Sequence, residues 1–213
     1  MGGLNVEKNR VTSTLRCKVV VAGAPTVGKT SLCQMTQSSG SLFPKKYNMT
    51  VGVDVSVIPI RLEGTTEVVE LFAYDVGGQD VFVDCCEDHL HDADYVFLCF
   101  DLFDRSTLTA CQDWLSLVNR SRKQTADPPR GVLVGNKADL EQPANAVDPN
   151  EARSFASASG LEYFEVSSLP TWQGNQQGGK PTWREPFDHI ARDFKRQYED
   201  FLERARSARG PPQ

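Results

Sequence analysis

The stretch from Gly23 to Thr30 constrains the fold of this chain more than any other part of the sequence. It reads G-A-P-T-V-G-K-T, which satisfies the pattern G-x-x-x-x-G-K-S/T, and it directly follows the apolar run Val19–Ala22. A buried strand, a glycine-rich turn and a helix N-terminus together direct backbone N–H groups at an anion. The sequence therefore predicts a phosphate-binding loop. The alternative is a flexible loop that matches the pattern by chance.

Two side chains of this loop have separate predicted tasks. The ammonium of Lys29 would reach the β- and γ-phosphates of a nucleotide, and the hydroxyl of Thr30 would ligate Mg²⁺. The residues of the stretch that we expect to contact the nucleotide are Ala24, Pro25, Thr26, Val27, Gly28, Lys29, Thr30 and Ser31.

The composition is that of a globular domain. The chain has 213 residues, of which 39% are hydrophobic and 24% charged, so it can bury a sizeable core. A net charge of −5 and a pI near 5.3 disfavour a nucleic-acid binder. There is no apolar run long enough for a membrane span and no signal-peptide core. The six cysteines form no C-x-x-C pair, which predicts reduced thiols of a cytosolic protein.

Strands and helices alternate along most of the sequence. We expect strands near residues 16–22, 53–62, 68–74, 95–100, 131–135 and 161–166, and helices near 30–39, 106–121, 149–159 and 184–206. This order predicts an α/β fold with a mostly parallel six-stranded sheet and helices on both faces. Pro59 cannot donate to a central ladder, so its strand should be an antiparallel edge strand that forms a hairpin with the next.

The same patterns divide the chain into regions. Residues 1–15 are polar and unpatterned, which predicts a flexible tail, and residues 16–206 form one domain. Within that domain, residues 169–183 are rich in Gly, Gln and Pro and are predicted to be a mobile insertion. Residues 207–213 form a second tail.

The D-x-x-G stretch that begins at Asp75 follows a predicted strand directly. Ligands of a parallel sheet bind outside the carboxyl ends of its strands, so the Asp75 carboxylate is placed to hold Mg²⁺. Gly78 would let the backbone approach a γ-phosphate, and Gln79 would orient an attacking water. A lone D-x-x-G is a weak signal that is usually a turn.

The N-K-x-D stretch at residues 136–139 also follows a predicted strand. The carboxylate of Asp139 can accept two hydrogen bonds from the N1–H and exocyclic amine of guanine, which adenine does not offer. Together with Asn136 and Lys137, this residue predicts guanine recognition.

These motifs together resemble those of the small GTPases of the Ras and Rab kind, from about residue 16 to the end of the chain. The resemblance implies a P-loop GTPase domain that binds GTP and GDP with Mg²⁺ and hydrolyses GTP slowly. It also implies that Thr50 contacts Mg²⁺ and the γ-phosphate, that Phe43 lies beside the guanine and that Tyr47 closes over the phosphates. The backbone of Ser167 and Ser168 would contact the guanine carbonyl.

Three departures from the family pattern stand out. Ser168 replaces an alanine, which leaves the backbone contact available. Pro25 stands beside the γ-phosphate where Ras has glycine, and proline fixes φ and lacks an N–H, so activation by an inserted arginine is in doubt. The sequence ends R-G-P-P-Q without a cysteine to prenylate, so no direct membrane anchor is expected.

Within the family, the chain resembles most closely the Rab-like branch that works in intraflagellar transport. The segments that carry this resemblance are residues 131–137, 146–153, 160–165 and 185–187. It implies a subunit of intraflagellar transport complex B in the cytoplasm and the cilium or flagellum. The implied partners are a small β-sandwich subunit, intraflagellar transport protein 25, and other subunits of that complex. The alternatives are a Rab-type vesicle-trafficking GTPase and a nucleotide-stabilised scaffold without significant turnover.

Two further features concern the surface. The last predicted helix has more large apolar side chains than one side of a sheet requires, so part of its apolar stripe is expected to face a partner. The stripe consists of Phe187, Ile190, Ala191, Phe194, Tyr198, Phe201 and Leu202. Separately, Cys85, Cys86, His89 and His91 lie close together in sequence. They are either metal ligands or, as we expect, part of a helix that follows Gln79.

Overall fold

The computed structural model describes residues 11–44, 46–79, 83–121, 130–141, 146–172 and 182–208, and of residues 83–85 only the helical backbone. Most of the predicted N-terminal tail, the centre of the predicted insertion and most of the C-terminal tail lie outside these ranges. So does the side chain of Cys85.

Six strands form one sheet in the order β2-β3-β1-β4-β5-β6. Neighbouring strands pair in parallel except β2 and β3, which are antiparallel. The strands are β1 (Ser13–Ala22), β2 (Val53–Arg61), β3 (Glu67–Val76), β4 (Tyr95–Asp101), β5 (Arg130–Asn136) and β6 (Glu162–Glu165). The predicted architecture is confirmed, including the hairpin and the edge position of the strand that contains Pro59.

In the described part of the chain, four α-helices connect strands of the sheet and a fifth follows the last strand. They are α1 (Lys29–Gln37), α2 (Val83–Leu90), α3 (Arg105–Ser121), α4 (Pro149–Ser159) and α5 (Glu185–Ala208). The ends of α4 follow the sequence: the side chain of Asp148 accepts a hydrogen bond from the N–H of Asn150 at 2.8 Å, and Gly160 ends the helix with φ 69°.

Both faces of the sheet are covered. Successive residues of β4 alternate between two apolar cores, and all six from Tyr95 to Phe100 are buried. One core packs the sheet against α1 and α5, where the rings of Phe97 and Phe187 stack with centroids 4.8 Å apart. The other core packs it against α2, α3 and α4. Each large apolar side chain buried in this way contributes about 1.5–3 kcal/mol.

Several element boundaries differ by one to three residues from the sequence predictions. β1 begins at Ser13 rather than at residue 16, because the chain already pairs with β3 there, and the Thr12 N–H donates to the Thr66 carbonyl at 2.9 Å. The last helix continues to Ala208 rather than residue 206. β6 is shorter than expected and includes only Glu162–Glu165.

The end of the predicted insertion is packed rather than exposed. Thr182–Arg184 forms a turn of 3₁₀-helix just before α5, and both Thr182 and Trp183 are buried. A Cβ placed on Gly40 would lie 3.1 Å from the Trp183 ring, so this ring lies against the chain that follows α1. Trp183 therefore belongs to the core and fixes the start of the last helix.

Among the described residues, no helix is both long enough and apolar enough to span a membrane.

Candidate functional site

The loop between β1 and α1 carries the predicted phosphate-binding residues. Gly28 immediately precedes α1 with φ 100°, a left-handed conformation that favours glycine. A Cβ at this position would come within 2.1 Å of the Asn136 side-chain nitrogen. Gly28 is therefore required both by its backbone conformation and by the close approach of β5.

Lys29 is buried at the first position of α1. Its Nζ donates to the carbonyl oxygens of Gly23 at 2.9 Å and Ala24 at 2.8 Å, so the ammonium is held inside the loop. Burial lowers the pKa of this lysine, and the nearby Asp75 carboxylate opposes that shift. The result is a pre-placed cation under the loop.

Thr30, Thr50 and Asp75 bring their side-chain oxygens together. Thr30 Oγ1 donates to Asp75 Oδ2 at 2.5 Å and lies 3.1 Å from Thr50 Oγ1, which is 3.5 Å from the same carboxylate oxygen. The other oxygen of Asp75, Oδ1, is buried without a hydrogen-bond partner. Burial raises the pKa of this carboxyl, and the hydrogen bond from Thr30 opposes the rise. A set of hard oxygens with one unsatisfied carboxylate oxygen fits a small divalent cation such as Mg²⁺.

A cavity of about 420 Å³ opens beside these groups. It includes most of the residues predicted around the phosphates, and its lining also contains residues that the sequence analysis did not select. Those additional residues are Gln34, Pro44, Lys46, Asn48, Met49 and Val76. The predicted residues that line it are Pro25, Thr26, Gly28, Lys29, Thr30, Ser31, Tyr47, Thr50, Gly78 and Gln79.

The segment after β3 presses against the phosphate-binding loop. A Cβ on Gly78 would lie 2.5 Å from the nitrogen of Pro25 and 2.6 Å from the carbonyl carbon of Ala24. Only glycine allows this approach. Gln79 follows with an exposed side chain at the rim of the cavity.

The predicted guanine-binding loop follows β5, and its first residue contacts the phosphate-binding loop. Asn136 is fully buried, and its Nδ2 donates to the Val27 carbonyl at 2.8 Å. Its Oδ1 accepts from the backbone N–H of Ser168 at 3.2 Å. This amide thus connects three loops, at residues 27, 136 and 168.

The next three residues of the loop are also held. Lys137 Nζ pairs with Asp101 Oδ2 at 2.6 Å, and the Ala138 N–H donates to the Val166 carbonyl at 3.0 Å. Asp139 Oδ1 accepts a hydrogen bond from the hydroxyl of Ser167. The structure therefore brings Asn136, Lys137 and Asp139 next to the predicted loop at Ser167 and Ser168.

Two aromatic residues behave differently from the rest. Tyr47 lines the cavity but is 65% exposed, and Phe43 is 38% exposed and is not among the described residues that line it.

The sequence patterns did not identify Asp101, the ion-pair partner of Lys137, as a residue of the site. Its position at the carboxyl end of a buried strand was the one sequence feature that could have indicated this.

The cysteine and histidine cluster does not form a metal site among the described side chains. His89 lies against the Tyr74 ring, with centroids 6.3 Å apart, whereas His91 Nδ1 lies 2.5 Å from the Ser121 carbonyl oxygen. The thiol of the buried Cys86 contacts the Gly52 carbonyl at 3.5 Å. No group of three or more His, Cys, Asp or Glu side chains that could hold a metal occurs in the part of the chain that the structure describes.

Sequence comparisons find known proteins that are similar to most of this chain. The sequence model of the Ras family matches residues 18–176. Intraflagellar transport protein 27 of Chlamydomonas reinhardtii is 38% identical over 190 residues, which cover 89% of this chain and 89% of that protein. The intraflagellar transport protein 27 homolog of Bos taurus is 34% identical over 89% of this chain and 95% of that protein. Ras-related protein Rab-28 of Caenorhabditis elegans is 33% identical over 71% of this chain and 59% of that protein.

Proposed function

Because this chain belongs to the Ras family of small GTPases, we propose that it binds GTP and GDP with Mg²⁺ and hydrolyses GTP slowly as a subunit of the intraflagellar transport machinery. One observation carries the nucleotide part of the proposal. The side-chain oxygens of Thr30, Thr50 and Asp75 converge at a cavity that Lys29 also lines. A cluster of this composition suits a phosphate chain and its cation.

At the phosphate end, the backbone N–H groups of Ala24 and of residues 26–31 would bind phosphate oxygens, and Lys29 would reach the β- and γ-phosphates. Thr30, Thr50 and Asp75 would hold Mg²⁺, which when bound neutralises charge on the β- and γ-phosphate oxygens. The unsatisfied Oδ1 of Asp75 supports this assignment, since a buried carboxylate oxygen without a partner is costly. Lys29 is likewise buried as a cation in advance of its phosphate partner.

At the base end, Asp139 would accept hydrogen bonds from the N1–H and the exocyclic amine of guanine. Adenine presents no such pair of donors, so a base of that kind would leave the acceptor oxygens of this partly buried carboxylate without these hydrogen bonds. The hydrogen bond from Ser167 to Asp139 supports this role, because it holds one carboxylate oxygen and thereby fixes the orientation of the Asp139 carboxylate. Phe43 and Tyr47 would close over the base and the phosphates when a nucleotide binds.

For hydrolysis, Gln79 would orient the attacking water. Its side chain is exposed at the cavity rim, which supports a slow intrinsic rate, on the order of 10⁻⁴ to 10⁻² s⁻¹ for this fold without an activator. Pro25 lies against Gly78, and by the family pattern its ring would stand beside the γ-phosphate. An inserted arginine from an activator would have to pass this ring.

The transport role rests on the names of the relatives and on α5. The first half of this helix is embedded, with Phe187, Ile190 and Ala191 fully buried. Farther along, Tyr198 is 39% exposed and Phe201 is 65% exposed. The outer end of α5 would therefore bind a partner subunit, for which a small β-sandwich protein of complex B, intraflagellar transport protein 25, is the candidate. We therefore expect the protein in the cytoplasm and the cilium or flagellum.

A single-turnover assay of GTP hydrolysis with and without Mg²⁺ tests the enzymatic part. We expect tight GTP and GDP binding and a measurable Mg²⁺-dependent rate within the range above. Tight binding without turnover would identify a nucleotide-stabilised scaffold instead, and the absence of guanine-nucleotide binding would contradict the whole proposal.

The partner interface is tested by deleting residues from Gln197 onward and measuring co-purification with the β-sandwich subunit. Because the deleted part of α5 lies beyond the buried residues, GTP binding should persist while partner binding weakens. The point variant Phe201→Ser should weaken it by about tenfold or more, whereas Arg204→Ser on the same exposed turn should not. Both GDP-loaded and GTP-analogue-loaded protein should bind. A truncated chain that co-purifies as well as the full chain would refute this interface.

A further inference from the structure

We propose that Asp101 is a positioning residue for Lys137, which holds the lysine side chain in one conformation beside the base site and thereby slows nucleotide release. This inference rests on the proposed function, since it assumes that guanine nucleotide binds at the loop of residues 136–139. Four features of the described residues support it.

The first feature is the pairing of the two side chains. Asp101 ends β4 and lies opposite Asn136 in the parallel register, so it is next to Lys137 across the strand ends. Its Oδ2 is 2.6 Å from Lys137 Nζ. The exposed fractions of the two side chains are 31% for the lysine and 15% for the aspartate. A short pair that is partly shielded from water is less screened than an exposed surface pair.

The second feature is that the carboxylate itself is held. Asp101 Oδ1 accepts a hydrogen bond from the Phe103 N–H at 3.0 Å, while the Asp101 N–H donates to Thr107 Oγ1 at 2.9 Å. Thr107 Oγ1 in turn donates to the Asp104 carbonyl at 2.6 Å, at the start of α3. The oxygen that faces Lys137 therefore has a fixed position that does not depend on the lysine.

The third feature is the backbone of Lys137. Its φ is 71°, a left-handed conformation that is uncommon for a residue other than glycine. The residues on either side hold this conformation, because Asn136 Nδ2 donates to the Val27 carbonyl and the Ala138 N–H donates to the Val166 carbonyl. With the backbone fixed, the long side chain is the part of Lys137 that remains free to rotate.

The fourth feature is location. Lys137 stands between Asn136 and Asp139, the two residues of its loop with the clearest predicted roles. A lysine with a free side chain would lose rotamer freedom each time a nucleotide binds, and that loss opposes binding. Asp101 removes most of this freedom in advance. Without it, we expect GDP to dissociate about tenfold faster.

A double-mutant cycle on the full-length chain tests the inference. The variants are Asp101→Asn, Lys137→Met and the double variant, and the measurement is the dissociation rate of a fluorescent GDP. Asparagine keeps an oxygen that can accept from the Phe103 N–H, so the local turn is retained. Asp104→Asn, a change in the same turn, is the matched control and should leave the rate unchanged.

We expect each single variant to release GDP about tenfold faster and the double variant to be no faster than the faster single. A purely structural role for Asp101 would make the two effects multiply, and that result would overturn the inference. An unchanged rate in Asp101→Asn would also overturn it, while leaving the proposed function intact. If the wild-type chain does not retain GDP, the proposed function fails and this inference fails with it.

Discussion

The two ends of the candidate site differ in how much support they receive from the rest of the chain. At the base end, Asn136, Lys137, Ala138 and Asp139 are each held by a hydrogen bond or ion pair to the phosphate-binding loop, to the end of β4 or to the loop at residues 166–168. At the phosphate-sensing end, the segment between α1 and β2 is largely exposed, with Leu42 at 66%, Tyr47 at 65% and Val51 at 68%. The loop that we propose to recognise guanine is thus held in place by the fold before a nucleotide arrives.

The phosphate-sensing end is connected to the metal-binding oxygens proposed above through Thr50. Thr50 Oγ1 lies 3.1 Å from Thr30 Oγ1 and 3.5 Å from Asp75 Oδ2, although its neighbours Met49 and Val51 are exposed. A segment with few buried contacts opens at low free-energy cost. A ligand that binds Thr50 can therefore order this segment, and its loss can release it, without disturbing the base end.

The largest expected effect is at the base end, in Asp139→Asn. The amide donates where the carboxylate accepted, so two hydrogen bonds to a charged acceptor are lost, each worth about 1.5–3 kcal/mol. GTP affinity should fall on the order of 10²- to 10⁴-fold, and the variant should prefer xanthosine triphosphate in competition binding. Asp113→Asn, an exposed change on α3, is the control. A variant that still prefers GTP would show that Asp139 does not read the base.

A smaller effect is expected at the other end, in Gln79→Leu. Leucine has similar bulk but cannot orient water, so the single-turnover rate should fall by about ten- to a hundredfold. Because Gln79 is exposed and holds no other loop, GTP affinity should stay within about threefold. An unchanged rate would show that Gln79 does not position the water. A large loss of GTP affinity would show that the phosphate-sensing end makes more stabilising contacts than its exposure indicates.

The smallest effects concern stability and compare the two ends directly. The Ser167 hydroxyl donates a hydrogen bond to Asp139 and accepts one from the Leu169 N–H. Ser167→Ala removes both bonds and should lower the free energy of unfolding by about 1 kcal/mol or more. Leu42→Ser should change it by less than about 0.5 kcal/mol, because this side chain is exposed. Urea unfolding of nucleotide-free protein measures both. A larger loss of unfolding free energy in Leu42→Ser than in Ser167→Ala would contradict the proposed difference between the two ends.

Sequence patterns could predict the fold and the position of most site residues because those features are local. A strand followed by a glycine-rich turn and a lysine predicts the backbone geometry of a phosphate-binding loop. The N-K-x-D stretch directly after a buried strand predicts that these residues lie at the carboxyl ends of the parallel strands. Pro59 predicted an edge strand by the missing N–H alone. Each of these inferences needs only a few neighbouring residues.

The remaining features depend on contacts between distant parts of the chain. Nothing near Asp101 shows that its carboxylate meets Lys137, since the two are brought together by strand register. The composition predicts that Trp183 belongs to a mobile insertion, because the residues before it are rich in Gly and Gln. In the structure, however, the Trp183 side chain is buried in the core and anchors the end of this segment. The start of β1 at Ser13 was missed because polar residues there pair through their backbone.

The strand order also determines how this protein behaves when it is crowded. A sheet with open edges invites other strands to add to it and grow into aggregates. Here one outer strand, β6, is only Glu162–Glu165 and has an exposed acidic residue at each end. The other, β2, carries Pro59, which offers no N–H to an approaching strand. Both borders of the sheet thus resist edge-to-edge association, so the protein can be packed densely beside other subunits without its sheet joining theirs.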